Sequence, residues 1–264
     1  EYWLNTNMIE SIRYIFGHNL SSMPHGIKYY HSLISTSPVE IFYCGSMDGT
    51  KVKDILSDAL SGMTRGEINY DIGTDIRMNA VEDAVRSFTD EMAVTQGKLV
   101  LGFRLGECME VPDIAAIYVF NAVYGSGVTS KLFMNVREKL SLCYYASAQF
   151  VASKGLMIVN SGIENRNFEV ARDEILHQLD LCRKGEITDA ELESARKTLV
   201  NGWRTMLDDP LTLERYWMGQ AAAGTLVSPE ERIEQVADIT REQVIAAAQS
   251  TALDTVFFMK GAAK

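Results

Sequence analysis

Segments with apolar residues at helical spacing alternate irregularly with short apolar segments suited to strands, and that order points to an α+β fold. Helical spacing runs over 8–16, 24–33 and 51–60. It returns in a helix opened by Pro112 and reaching Tyr124, and then over 130–140, 168–182, 188–206, 211–223 and 230–236. Strand candidates lie at 39–44, within 81–94, and at 98–105, 143–152, 156–163 and 255–259. Thr188 followed by Glu191 has the spacing of a capping box, and Thr240 followed by Gln243 repeats it. Gly185 is placed to end the helix over 168–182, and Ser153, Lys154 and Gly155 are placed to turn a hairpin.

The 264 residues are 47% hydrophobic and 23% charged, enough to bury one large core or two smaller ones without staples. A formal charge of -10 argues against nucleic acid and against anionic membrane surfaces, since both recruit clustered Lys and Arg. Apolar runs such as 114–123 stop well short of the roughly 20 residues that a spanning helix requires. Cys44, Cys108, Cys143 and Cys182 are scattered, without a C-x-x-C pair, which is the pattern of reduced thiols in the cytoplasm. The chain begins at Glu1, with Ile9, Ile12 and Phe16 already at helical spacing, and reads as part of a longer protein.

The stretch 61–74, bearing Gly and Asp, reads as a linker, so residues 1–74 and 75–264 are expected to be separate units. Each closes on a similar pattern of helix, polar gap, apolar strand and glycine, ending at Gly45 and Gly261. This is the pattern of a duplicated unit whose first copy is truncated here.

The informative motif starts at Gly125-Ser126-Gly127, continues through Ser130-Lys131-Leu132-Phe133 and Arg137-Glu138-Lys139, and reaches Tyr144. It resembles the second half of pitrilysin-type, insulin-degrading-enzyme-like metallopeptidases. There an apolar helix and a Gly-rich turn precede Ser, Leu and Phe, an Arg-Glu-Lys run, and a Tyr seven residues after the Arg. Arg137 and Tyr144 keep that spacing, while Cys143 stands where the family usually has glycine. Residues 96–103 and 42–48 are similar to further parts of the family pattern, so the resemblance extends over essentially the whole chain.

The resemblance implies a mostly antiparallel sheet flanked by helices, in units that close like a clamshell around an unfolded peptide. It assigns 1–74 to the tail of a first peptidase-like unit plus linker, and 75–264 to a second, zinc-less unit. The family's zinc is held by an inverted H-x-x-E-H motif, two His ligands and a Glu that activates water. None of His18, His25, His31 and His177 is followed by those residues, so zinc is expected in an N-terminal half outside this chain. No catalytic residue is expected here. Arg137 and Tyr144 are the expected substrate-binding pair, a guanidinium and a phenol for a peptide carbonyl that gathers negative charge. From position alone, Arg137 could instead pair with an acidic helix neighbour while Tyr144 packs in a half-buried strand. The expected partners are a peptide substrate, the N-terminal half or a partner subunit, and a second copy in a homodimer.

Two other readings come from different classes: an inactive partner or scaffold subunit of a peptidase-like complex, and an unrelated α+β binding domain with accidental Arg-to-Tyr spacing. Nucleotide binding is rejected, because Gly125 to Lys131 has Ser130 where a phosphate loop needs its second glycine.

Overall fold

The structure, a computed structural model, describes residues 24–70, 84–106 and 114–261. The chain divides into two compact units, Glu1–Thr74 and Asp75–Lys264. The helical spacing over 8–16, the opening of a helix at Pro112 and the end of the linker at 71–74 all lie outside the described residues.

In the first unit, α1 (Pro24–Thr36) and α2 (Gly49–Leu60) are joined by an irregular segment. Asp48 caps α2, its carboxylate accepting from the Thr50 and Lys51 amides at 3.0 and 3.2 Å. The tail after α2 folds back on the end of α1: Arg65 donates to the Ile34 carbonyl at 2.6 Å, and the Gly66 and Asn69 amides donate to Ser35 and Thr36. The strand expected over 39–44 does not form. An apolar β-segment needs a neighbouring strand for its main-chain groups, none of the described residues supplies one, and Val39 and Ile41 stay exposed.

The second unit is built on a five-stranded sheet: β1 (Arg86–Met92), β2 (Gly97–Arg104), β3 (Cys143–Val151), β4 (Leu156–Ile163) and β5 (Ala252–Gly261). Their spatial order is β1-β5-β2-β4-β3. Only the β1 and β5 pairing is parallel, and the other three are antiparallel. Leu99, Leu101 and Phe103 of β2 point to one face and are fully buried, while Lys98, Val100, Gly102 and Arg104 alternate to the other. Arg86 ties β1 to the sheet through a 2.6 Å ion pair with Asp254, which Arg104 also approaches at 3.8 Å.

Against the buried face lies α3 (Ile114–Gly125), apolar all round, uncharged and buried along its length, as a central core helix must be. A π-helix (Leu132–Lys139) follows. Around these pack α4 (Phe168–Arg183), α5 (Asp189–Met206), α6 (Pro210–Ala222), α7 (Pro229–Ala237) and α8 (Arg241–Ser250). Tyr118 of α3 meets Phe150 and Trp203 edge-on at 5.4 and 5.7 Å, and Phe168 stacks on Phe258 at 4.4 Å. Both expected capping boxes form at Thr188 and Thr240, and Ser228 with Glu231 makes another at α7. The helix expected over 130–140 forms as a π-helix, with Leu140 donating to Asn135 at 3.1 Å across five residues. The hairpin turns through a short 3₁₀ segment, Ala152–Lys154, into left-handed Gly155.

Candidate functional site

The apolar face of the π-helix, Leu132 and Val136, is buried in the core, and polar bonds fix its two flanks. Lys131, at its start, is almost fully buried and donates to Glu191 of α5 at 2.8 Å. Burial pushes the Glu191 carboxyl up, but the bonds from Lys131 and Thr188 outweigh it and hold the group below the usual carboxylate range. On the other flank Asn135 donates to Gln178 of α4 at 2.8 Å, and Gln178 in turn donates to Glu174 at 2.7 Å. The helix is thus held between α4 and α5, and Phe133 and Arg137 share a further side.

Arg137 lies with its guanidinium over the Phe133 ring, 4.6 Å from the centroid, and 3.6 Å from the neighbouring Glu138 carboxylate. Its side chain is 41% exposed, so neither contact withdraws it from solvent. Beyond the π-helix, Ser141 adopts φ 51, a left-handed conformation uncommon for a residue with a Cβ. The Ser141 amide donates back to the Arg137 carbonyl and the Leu142 amide to that of Val136, both at 3.1 Å. The chain thereby reverses from helix into β3 within a few residues. The β3 and β4 register slips between Cys143 and Tyr145, and Tyr144 at that bulge is 58% exposed.

These turns bring Arg137 and Tyr144 to one open cleft of about 410 Å³, lined also by Glu138, Ser141, Leu142, Cys143, Glu164 and Asn167. Arg137 does approach an acidic helix neighbour, and Tyr144 lies in the half-buried strand β3 but with its own side chain exposed. Cys143, which stands where glycine was expected, opens β3, and burial pushes its thiol up against the smaller effects of Ser161 and Arg137. Such a thiol is a poor nucleophile near neutral pH. The chemistry on offer is donation: five guanidinium N–H groups and a phenol O–H, suited to carbonyl or oxyanion acceptors.

Asn167 and Glu164 were not singled out from the sequence. Asn167 precedes α4 and has the residue type of an N-cap, yet its side chain makes no cap bond and donates to the Leu142 carbonyl at 3.3 Å. Only the approach of the two loops in space shows that role. Glu164 pairs with the exposed Arg166 at 2.7 Å. Among the described residues no group of three His, Cys, Asp or Glu is placed to hold a metal ion, and the whole sequence lacks an H-x-x-E-H motif, so these residues do not fit a zinc centre.

Comparison with known proteins adds the relationship. The family described as "Peptidase M16 inactive domain" matches residues 27–199. "Probable inactive metalloprotease YmfF" of Bacillus subtilis is 31% identical over 234 residues, 88% of this chain and 54% of its own length. The chain therefore spans about half of that relative. A conserved protein from Enterococcus faecalis V583 superposes with a TM-score of 0.76 at 26% identity, covering 90% of this chain and 56% of that one. A solved peptidase M16 inactive domain from Pseudomonas fluorescens, at 19% identity, shares the fold with a TM-score of 0.64, covering 82% of this chain and 52% of its own.

Proposed function

The chain belongs to the peptidase M16 inactive-domain family, and from that premise we propose that it is the non-catalytic half of a zinc-dependent peptidase, one wall of a chamber that holds an unfolded peptide. The observation that carries this reading is that Arg137 and Tyr144 open into the same cleft while remaining largely accessible to a ligand. A peptide carbonyl under attack by water gathers negative charge, and a guanidinium and a phenol held at one site stabilise it. Zinc, which would activate that water, belongs in this reading to the missing half or a partner subunit, and the present chain alone hydrolyses nothing. Residues 1–74 are then the tail of the first peptidase-like unit plus linker, and 75–264 the second, zinc-less unit. The free thiols of Cys44, Cys143 and Cys182 fit a cytoplasmic setting.

A scaffold or inactive partner subunit is the second reading, favoured by the name of the Bacillus subtilis relative. In that case the cleft would hold a peptide, or a second copy of the chain, without any turnover. Cleavage of a fluorogenic peptide by the full-length parent with zinc decides between them. Arg137→Ala and Tyr144→Phe are each expected to lower kcat/KM by about 100-fold with folding intact. Unchanged cleavage in both variants would show the chamber-wall assignment to be wrong, and a parent that neither binds zinc nor cleaves would establish the scaffold.

A further inference from the structure

The sheet of the second unit ends in two unlike edges. At one, β1 carries Arg86, Asp90 and Glu91 among seven residues, and Lys260 of the adjoining β5 pairs with Glu91 at 2.9 Å. Charge on an exposed edge is the usual device against unwanted pairing. At the other edge β3 reads Cys-Tyr-Tyr-Ala-Ser-Ala-Gln-Phe-Val, nine residues without a charge, a proline or a glycine. No described strand lies beyond it, so its outer row of main-chain donors and acceptors faces outward. A neutral edge of this length is a template for strand addition.

The surroundings narrow what the edge can take. Ala146 and Ala148 are each 5% exposed, so the helical layer covers the inner face as far as this outermost strand. An added strand would set alternate side chains beside them, where an uncompensated charge is costly. Tyr145, Ser147 and Gln149 stand exposed on the other face and suit β-branched or hydroxyl-bearing cross-strand neighbours. The ladder passes through the bulge at Tyr144 to Cys143, and both residues line the cleft, so the end of the edge adjoins the cleft.

We propose that the outer edge of β3 binds an extended, uncharged peptide segment as a sixth strand, and that the residues following that segment enter the cleft at Arg137 and Tyr144. This rests on the peptide-holding function proposed above for its occupant. The pairing itself depends on the peptide's backbone. Continuity with the cleft favours a peptide over a second copy of the chain.

The probe is a fluorescein-labelled peptide of about ten residues alternating Thr and Val, compared with the same peptide N-methylated at alternate amides along one edge. The full chain is expected to bind the first at least about tenfold more tightly than the second, and Ser147→Lys or Gln149→Lys to weaken it by a similar factor while the circular dichroism stays unchanged. Bound peptide is also expected to slow amide exchange across 143–151. Equal affinity for the two peptides, no protection of β3, or no binding at about 1 mM would overturn the proposal. If Arg137→Ala abolishes binding while N-methylation and the lysine variants change nothing, the cleft keeps its function and strand addition fails. If the lysine variants act and Arg137→Ala does not, strand addition stands and the cleft assignment fails. Protection of β3 that depends on protein concentration without peptide would assign the edge to a second copy.

Discussion

At Ser141 a single left-handed residue lies between the π-helix that bears Arg137 and the strand that bears Tyr144. Its φ of 51 closes the π-helix, and it is the only described non-glycine residue in the left-handed region. Glycine adopts this conformation without steric cost and is the residue most often found where helices end this way. Ser141→Gly is therefore expected to leave the fold intact and to stabilise it by up to about 1 kcal/mol, whereas Ser141→Val should destabilise it by about 1–2 kcal/mol. Thermal unfolding of the two variants checks this, and a Gly variant clearly less stable than wild type would show that the serine is not strained. Nothing in the sequence marks Ser141, because serine carries no signal for a positive φ. The Arg137 to Tyr144 spacing, in contrast, could be read directly. What that spacing could not give is the company of Asn167 and Glu164, which reach the cleft from a loop twenty or more residues further along the chain.

At the scale of elements, two helix starts were legible at Thr188 and Thr240, where a hydroxyl precedes a Glu or Gln by three residues, because the capping box is a local bond pattern complete within four residues. Glu191 carries more than its cap: it accepts from the Thr188 amide and also from the buried Lys131 ammonium, both at 2.8 Å. Glu191→Ala is expected to destabilise the protein by roughly 3 kcal/mol, since a lost cap costs about 1 kcal/mol and an ammonium left buried without a partner costs more. Lys131→Met with Glu191→Ala should recover part of that loss. Denaturant unfolding of the single and double variants tests the coupling, and strictly additive effects would refute it. The π-helix was legible as a helix but not as a π-helix. Over eight residues the apolar spacing of i→i+4 and i→i+5 windings differs too little, and the anchors that hold this one, Glu191 and Gln178, lie on two later helices. The expected strand at 39–44 failed for the opposite reason: apolar alternation gives a segment the capacity to pair but does not supply the partner.

Across the whole molecule the two units are unequal. The second contains the sheet and the continuous core from Leu99 to Phe258, while among residues 30–70 of the first only Val52 is a buried apolar side chain. Limited proteolysis is expected to cut first within 61–74 and to leave a fragment of about 75–264 that unfolds cooperatively, because the core and all five strands lie on its side of the cut. A fragment that loses its cooperative transition would show that the first unit contributes to the same core. By itself the sequence determined the α+β class, most helix ends and the placing of one Arg and one Tyr seven residues apart, because these depend on periodicity and on bonds between near neighbours. The tertiary structure decided the strand order, the winding of the helix that bears Arg137, the residues that share its cleft and which sheet edge is left without charge. Each of these depends on groups far apart in the chain being brought together by burial of the common core, and no local pattern records which distant partner that burial selects.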